Sequence, residues 1–290
     1  EQNGGHDIAF SADNCSEERV AQTMRMLANT KLKAVAQEQA LPKMITFLEM
    51  LGAGTVEQLN AAKRWQENNP VSSLSAPVGV GPDGSWFTLD LHEKRQGPHG
   101  LVAGMTGSGK SETIMAYILS MAINYHPYEV AFILIDYKGG GLADAFENPR
   151  TGGRLPHLAG TITNLDGGSI QRSLMSIESE LVRRQKVFSE VSKRFDEGSM
   201  NIYTYQKLFR AGKVSKPMPH LFIVSDEFAE LKQQQPEFMD DLISAARIGR
   251  SLGVHLILAT QKPAGIVTSK VVVGSNPPVL PNSTTPKSKI

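Results

Sequence analysis

Eight consecutive residues constrain this chain more than any others: Gly104-Met105-Thr106-Gly107-Ser108-Gly109-Lys110-Ser111. They satisfy G-x-x-x-x-G-K-[ST] in full, with an apolar run at 100–103 before them and an apolar helical stretch at 110–124 after. To wrap a phosphate, backbone N–H groups must converge on its oxygens, and Gly104, Gly107 and Gly109 allow the tight turn and close approach. The helix that follows offers its unpaired N-terminal N–H groups to the anion. In this position Lys110 reaches the β- and γ-phosphates and Ser111 ligates Mg²⁺. All eight residues are therefore candidate nucleotide-binding residues, with Mg²⁺ as the implied metal.

The surroundings of the loop predict the fold. From Gly97 onward, short apolar strands alternate with longer helical stretches: strands at 100–103, 130–135, 158–162, 220–225 and 254–260, helices at 110–124, 168–190 and 236–251. In the 168–190 segment, Ile170, Leu174, Ile177, Leu181 and Phe188 share one helical face, which buries a single stripe against a sheet. This alternation predicts an α/β fold with right-handed crossovers and a mainly parallel sheet. Residues 1–96 read as a helical linker followed by a small β element. Helices are expected near 16–40, 44–51 and 55–66, prolines and glycines then break the pattern, and a strand is expected at 85–91. The α/β region spans 97–267, and the Pro/Ser/Lys-rich tail, 268–290, is expected to be disordered.

A second strand carries the remaining chemistry. His220-Leu-Phe-Ile-Val-Ser-Asp226-Glu227 is an apolar run ending in two carboxylates, and in a parallel sheet that end faces the ligand crevice. Asp226 is suited to holding Mg²⁺ through water, and Glu227 to orienting or deprotonating an attacking water. A carboxylate beside the metal ligand favours hydrolysis over kinase chemistry, because a kinase must keep water out. Gln261, at the end of the 254–260 strand, is a candidate γ-phosphate sensor, the alternative being a polar loop start before Pro263. Arg247 and Arg250, three apart on one helical face, are candidate fingers acting on a neighbouring subunit, the alternative being a solvated basic helix end. The loop Asp136-Tyr-Lys138-Gly-Gly-Gly141 also lies on the ligand side, as a substrate or subunit contact or as a plain flexible turn.

Composition excludes several other classes. The single cysteine, Cys15, rules out a disulfide scaffold and a multi-cysteine zinc site. The seven histidines show no metal-ligand spacing, and His220 and His255, at strand starts, read as structural. Trp65 and Trp86 lack the basic interleaving of a single-strand binding platform and read as packing residues. The formal net charge is +1, and the tail supplies three lysines and no acid, so residues 1–267 are slightly acidic. That argues against a DNA-gripping surface. Every apolar stretch is too short to span a bilayer. The piece is therefore expected to be soluble and, since it begins at Glu1, to be a fragment of a longer protein.

The blocks GPHGLVAGMTGSGKSE (97–112), ILIDYKGGG (133–141), LPHLAGTITNLDG (155–167), MPHLFIVSDEFAELK (218–232) and ARIGRSLGVHLILATQKP (246–263) resemble an FtsK/SpoIIIE-type ATPase domain. More narrowly, with LPKMITFLEMLG (41–52), EQLNAAKRW (57–65) and APVGVGPDG (76–84), the chain resembles the first ATPase module of the EssC/EccC motors of type VII secretion. The resemblance covers roughly 16–267. It implies a RecA-like P-loop fold in which 104–111 bind ATP, Asp226 and Glu227 serve Mg²⁺ and hydrolysis, Gln261 senses nucleotide, and an arginine finger falls on 247–250. It further implies a ring of self or sibling ATPase modules, small helical secreted substrates and other secretion-machinery subunits as partners. The expected location is the cytoplasmic face of the plasma membrane, within a membrane-anchored protein. The match stops near Val267, short of the family's last strands, so an unpaired sheet edge and impaired turnover are expected. Two other readings stand beside protein export: a double-stranded DNA translocase, and an ATP-binding regulatory or scaffold module with little turnover.

Overall fold

Strand-forming runs and the helices between them account for most of the structure, a computed structural model that describes residues 16–28, 45–81, 84–105, 107–136, 141–148, 150–163 and 167–261. Residues 1–41 form one unit and residues 42–290 a second. In the first, α1 (Glu17–Ala28) opens with Glu17 and Glu18, acids that suit the positive end of a helix. The rest of the helix expected to reach residue 40, and the tail at 268–290, lie outside the described residues.

The second unit begins with α2 (Phe47–Met50), closed by a capping box: the Glu49 N–H donates to Thr46 Oγ1 at 3.2 Å and the Thr46 N–H to Glu49 Oε2 at 2.8 Å. The single helix expected at 55–66 is divided. A 3-10 turn over Val56–Leu59 ends at Asn60, which adopts φ 43° and whose side chain caps α3 (Ala61–Glu67). Asparagine tolerates this left-handed conformation, so one residue both stops the turn and starts the helix. A hairpin of β1 (Ser75–Val80) and β2 (Trp86–Asp90) follows, antiparallel, with a register shift between Pro77 and Gly79. The sequence pattern shows β2 but not β1, because Pro77 and Gly79 look like breakers. Here they sit on a two-stranded ribbon whose bulge accommodates them. Trp86, expected to pack, is 49% exposed on this hairpin.

The main sheet contains β3 (Gly100–Ala103), β4 (Val130–Asp136), β7 (Leu158–Ile162), β8 (His220–Asp226) and β9 (Val254–Thr260), in the order β3-β9-β8-β4-β7. Every pairing in it is parallel. The short strands β5 (Glu147–Asn148) and β6 (Gly153–Arg154) form a separate ribbon. Among the described residues β3 pairs with β9 alone, and Leu101 on it is 43% exposed.

Side-chain alternation along the central strands makes two cores, one on each face. Phe132, Leu134, Phe222, Val224, Ile257 and Ala259 point to the face covered by α4 (Lys110–Asn124) and the hairpin. Ile133, Ile135, Leu221, Ile223, Leu256 and Leu258 point to the other. That second face is covered by α5 (Gly167–Phe195), α6 (Ile202–Arg210), α7 (Phe228–Gln234) and α8 (Pro236–Gly249). The expected stripe on α5 is buried as predicted: Ile170, Leu174, Ile177, Leu181 and Phe188 are each at most 6% exposed. α6 and α7 were not anticipated. α6 carries a readable start signal, Asn201, whose side chain accepts the Thr204 N–H at 2.9 Å.

The linker is fastened to the far end of α4. Trp65 Nε1 donates to the Ala122 carbonyl at 3.0 Å and Asn68 Nδ2 to the Asn124 carbonyl at 3.1 Å. These are last-turn carbonyls that the helix itself leaves without partners.

Candidate active site

The phosphate loop joins β3 to α4, and its glycines do the steric work. Gly107 and Gly109 adopt φ 77° and 84°, values that side chains rarely tolerate. Gly104 has an ordinary φ, but a Cβ there would fall far inside contact distance of Ser108 Oγ. The Gly104 N–H donates to the Thr260 carbonyl at 3.1 Å, anchoring the loop to the end of β9. Gly109 is the N-cap of α4 and provides no side-chain cap, so the first-turn N–H groups are left for an anion. Thr106 lies outside the described residues.

The acidic end of β8 meets this loop because of the alternation described above. Asp226 follows Phe222 and Val224 onto the α4 face, while Ser225 turns to the other. Lys110 Nζ lies 2.6 Å from Asp226 Oδ1 and 3.7 Å from Glu227 Oε2, and Ser111 Oγ donates to Asp226 Oδ2 at 3.2 Å. Glu227 leaves the strand in a left-handed conformation, φ 59° and ψ 49°, and caps the start of α7. A non-glycine residue holds that conformation only where its surroundings enforce it. Glu227 is 5% exposed, and its Oε1 accepts the Gln261 N–H at 3.3 Å. Gln261 thus reaches the site through its backbone.

Met105, Gly107, Gly109, Lys110, Ser111, Glu112, Asp136, Asp226, Glu227 and Gln261 together line a cleft of about 270 Å³. The sequence marks Asp136 only as the start of a ligand-side loop and does not by itself place it in the phosphate site. The available signal was that β4, like β8, is an apolar run closed by Asp; in the sheet the two residues are register partners. The rest of that loop, 137–140, lies outside the described residues.

The donor set fits a hard divalent cation. It is all oxygen, a hydroxyl plus carboxylates, and the four carboxylates that line the cleft with one lysine (Glu112, Asp136, Asp226 and Glu227) leave it with surplus negative charge that a polyphosphate alone would worsen. Among the described residues no group of three or more His, Cys, Asp or Glu is placed to hold a metal ion by itself, so a cation here would be held jointly with the phosphates of a bound nucleotide.

Arg247 and Arg250 are not brought to this cleft. They end α8 and begin the turn before Val254, at the start of β9, whereas the loop is anchored at its end, Thr260. Seven strand residues separate the two ends by roughly 20 Å. Arg250 instead lies 3.6 Å from Glu93.

Residues 57–265 match the FtsK/SpoIIIE family. The type VII secretion system protein EssC of Staphylococcus aureus is 53% identical over 259 residues, covering 89% of this chain and 16% of that protein. The chain therefore spans about a sixth of the length of such relatives. The cytoplasmic domain of the type VII secretion ATPase EccC of Thermomonospora curvata superposes with a TM-score of 0.66 at 34% identity, over 76% of this chain and 25% of that one. ATPases 2 and 3 of the same EccC, in complex with a signal sequence peptide, match with a TM-score of 0.53 at 29% identity, over 65% of this chain and 32% of that one.

Proposed function

The chain belongs to the FtsK/SpoIIIE family, and on that premise we propose that it is a motor module that hydrolyses ATP to power protein export through a type VII secretion system. The observation that carries this reading is the meeting of Lys110, Ser111, Asp226 and Glu227 in one cleft beside the open N-terminus of α4.

In this reading the amides of the loop and of the first turn of α4 hold the phosphates, and Lys110 exchanges its bond to Asp226 for the β- and γ-phosphate oxygens. Ser111 and Asp226 would hold Mg²⁺, which when bound would neutralise charge on the phosphates. Glu227, nearly buried and fixed by the Gln261 N–H, orients a water and takes up its proton as the water attacks the γ-phosphorus. Arg247 and Arg250, remote from the chain's own cleft, would act on phosphate only across a ring of such modules, self or sibling.

Export substrates and other secretion-machinery subunits are proposed as partners from the names of the relatives and from the signal peptide carried by EccC. A site at the cytoplasmic face of the membrane follows if the chain is part of a longer anchored protein; none of the described helices is long and apolar enough to cross a bilayer.

Steady-state phosphate release by this chain, beside Lys110→Ala and Glu227→Gln, tests the reading. Glu227→Gln should retain ATP binding within about threefold and lose at least about a hundredfold in release, the usual contribution of a general base. Tight ATP binding without release above the variants would favour a regulatory module, and stimulation by double-stranded DNA would favour a translocase.

A further inference from the structure

Asp136 is a nearly buried carboxylate, 4% exposed, at the end of β4, and it lines the phosphate cleft. Its register partner across the parallel ladder is Asp226, so the two side chains emerge on the same face of the sheet, one strand spacing of about 4.8 Å apart. Asp136 Oδ2 accepts the Leu142 N–H at 2.8 Å, and among the described residues no hydrogen bond reaches Oδ1. None of the ion pairs among the described residues includes Asp136. Lys110, the cleft's lysine, is taken by Asp226 and Glu227. A buried carboxylate without a cationic partner is costly, and a site retains one where a cation arrives with the ligand.

We propose that Asp136 is a positioning residue for the metal. Its free oxygen accepts a hydrogen bond from a water of the Mg²⁺–nucleotide complex, so that Asp136 and Asp226 hold the metal's water shell from neighbouring strands. Mg²⁺ keeps several of its waters when it binds beside phosphates, and these donate only to acceptors placed around the octahedron. Asp226 lies beside Ser111; Asp136, one strand further from β3, supplies an acceptor on the side away from the loop. The inference rests on the nucleotide reading above. It differs from the plain alternative, in which Asp136 does no more than tie Leu142 to the end of β4.

Asp136→Asn separates the two roles. The amide oxygen still accepts the Leu142 N–H, while the other position becomes a donor and the charge is gone. The measurement is the affinity for a fluorescent ATP analogue in EDTA and in saturating Mg²⁺, taking the ratio as the Mg²⁺ enhancement. In EDTA the variant should bind as well as the parent or better, because a repelling charge has been removed. Its Mg²⁺ enhancement should fall about ten- to a hundredfold, the usual effect of losing a partner that orients a metal's ligands. An enhancement equal to the parent's would overturn the proposal and leave the nucleotide reading intact, whereas a parent chain that binds no nucleotide in either condition would overturn both. If the asparagine variant does not fold, Asp136→Glu keeps the charge and carries it one methylene further into the cleft. Its enhancement should differ from the parent's by about threefold or more, and an unchanged value would overturn the proposal.

Discussion

Lys110→Ala is the obvious way to disable the phosphate loop, and the structure predicts that it also weakens the nucleotide-free protein. Lys110 Nζ lies 2.6 Å from Asp226 and 3.7 Å from Glu227, and the three side chains are 8%, 21% and 6% exposed. At an effective dielectric near 20 the two contacts amount to gross attractions of about 6 and 4 kcal/mol. Removal of three charges from water offsets most of this. What remains measurable is the asymmetry. Alanine leaves two carboxylates in the cleft without their cation, a loss of about 3–5 kcal/mol in a closed site. The fifth of Asp226 that reaches water brings the expectation down to about 2–3 kcal/mol. Adding Asp226→Asn removes one stranded charge and should restore about 1–2 kcal/mol, a non-additivity that a double-mutant cycle reads directly. Urea unfolding without nucleotide, followed by circular dichroism, gives all four stabilities. A Lys110→Ala protein as stable as the parent would refute this reasoning, as would a double variant no more stable than the single one. The practical consequence is that loss of nucleotide binding in Lys110→Ala should be judged below its own melting temperature.

Two further outcomes follow from geometry. Gly104→Ala places a methyl group against Ser108 Oγ, an exposed side-chain end that must turn aside, and should weaken ATP binding by about threefold with little change in melting temperature, because the adjustment falls on the loop and not on the core. Acid should destabilise the protein through histidines at the opposite end of the sheet. His220 Nδ1 lies 2.8 Å from His255 Nε2, and His255 Nδ1 lies 2.8 Å from the Pro98 carbonyl, so one tautomer chain has His255 donating to Pro98 and His220 donating to His255. Burial, with the positive charge of Arg184 adding to it, pushes His220 well below the usual histidine range and His255 down to about 3; burial and Arg250 push His99 down to about 4. The unfolded chain takes up protons that the folded one refuses. Stability is therefore full above about pH 6.5 and falls as the pH drops towards 4 and 3, by at most about 1.4 kcal/mol per pH unit for each histidine. Melting temperatures between pH 7.5 and 5 check this, and His220→Asn should flatten the slope.

Legibility followed the distance over which each signal acts. β3, β7 and β9 and the span of α4 fall at the residues expected from the sequence, because an apolar run bounded by glycine or a polar pair carries its own limits. β1 was missed because Pro77 and Gly79 look like breakers unless the hairpin partner and its bulge are known. α7 is not legible because it begins directly after Glu227, where only the tertiary surroundings hold the backbone left-handed.

The phosphate loop is legible from its own residues alone. Its chemistry is contiguous, and glycine spacing, lysine and serine specify the turn without help from distant residues. Also legible in the sequence are the carboxylates that end β8 on the ligand side, since a parallel sheet offers one end of its strands to a ligand. Tertiary structure decided which carboxylates share the cleft. Asp136 faces it beside Asp226 because β4 and β8 pair with those residues in register, and a one-residue slip would have turned Asp136 to the opposite face. It decided also that Arg247 and Arg250 lie a full strand length from the loop, since the helix that carries them delivers the chain to the start of β9.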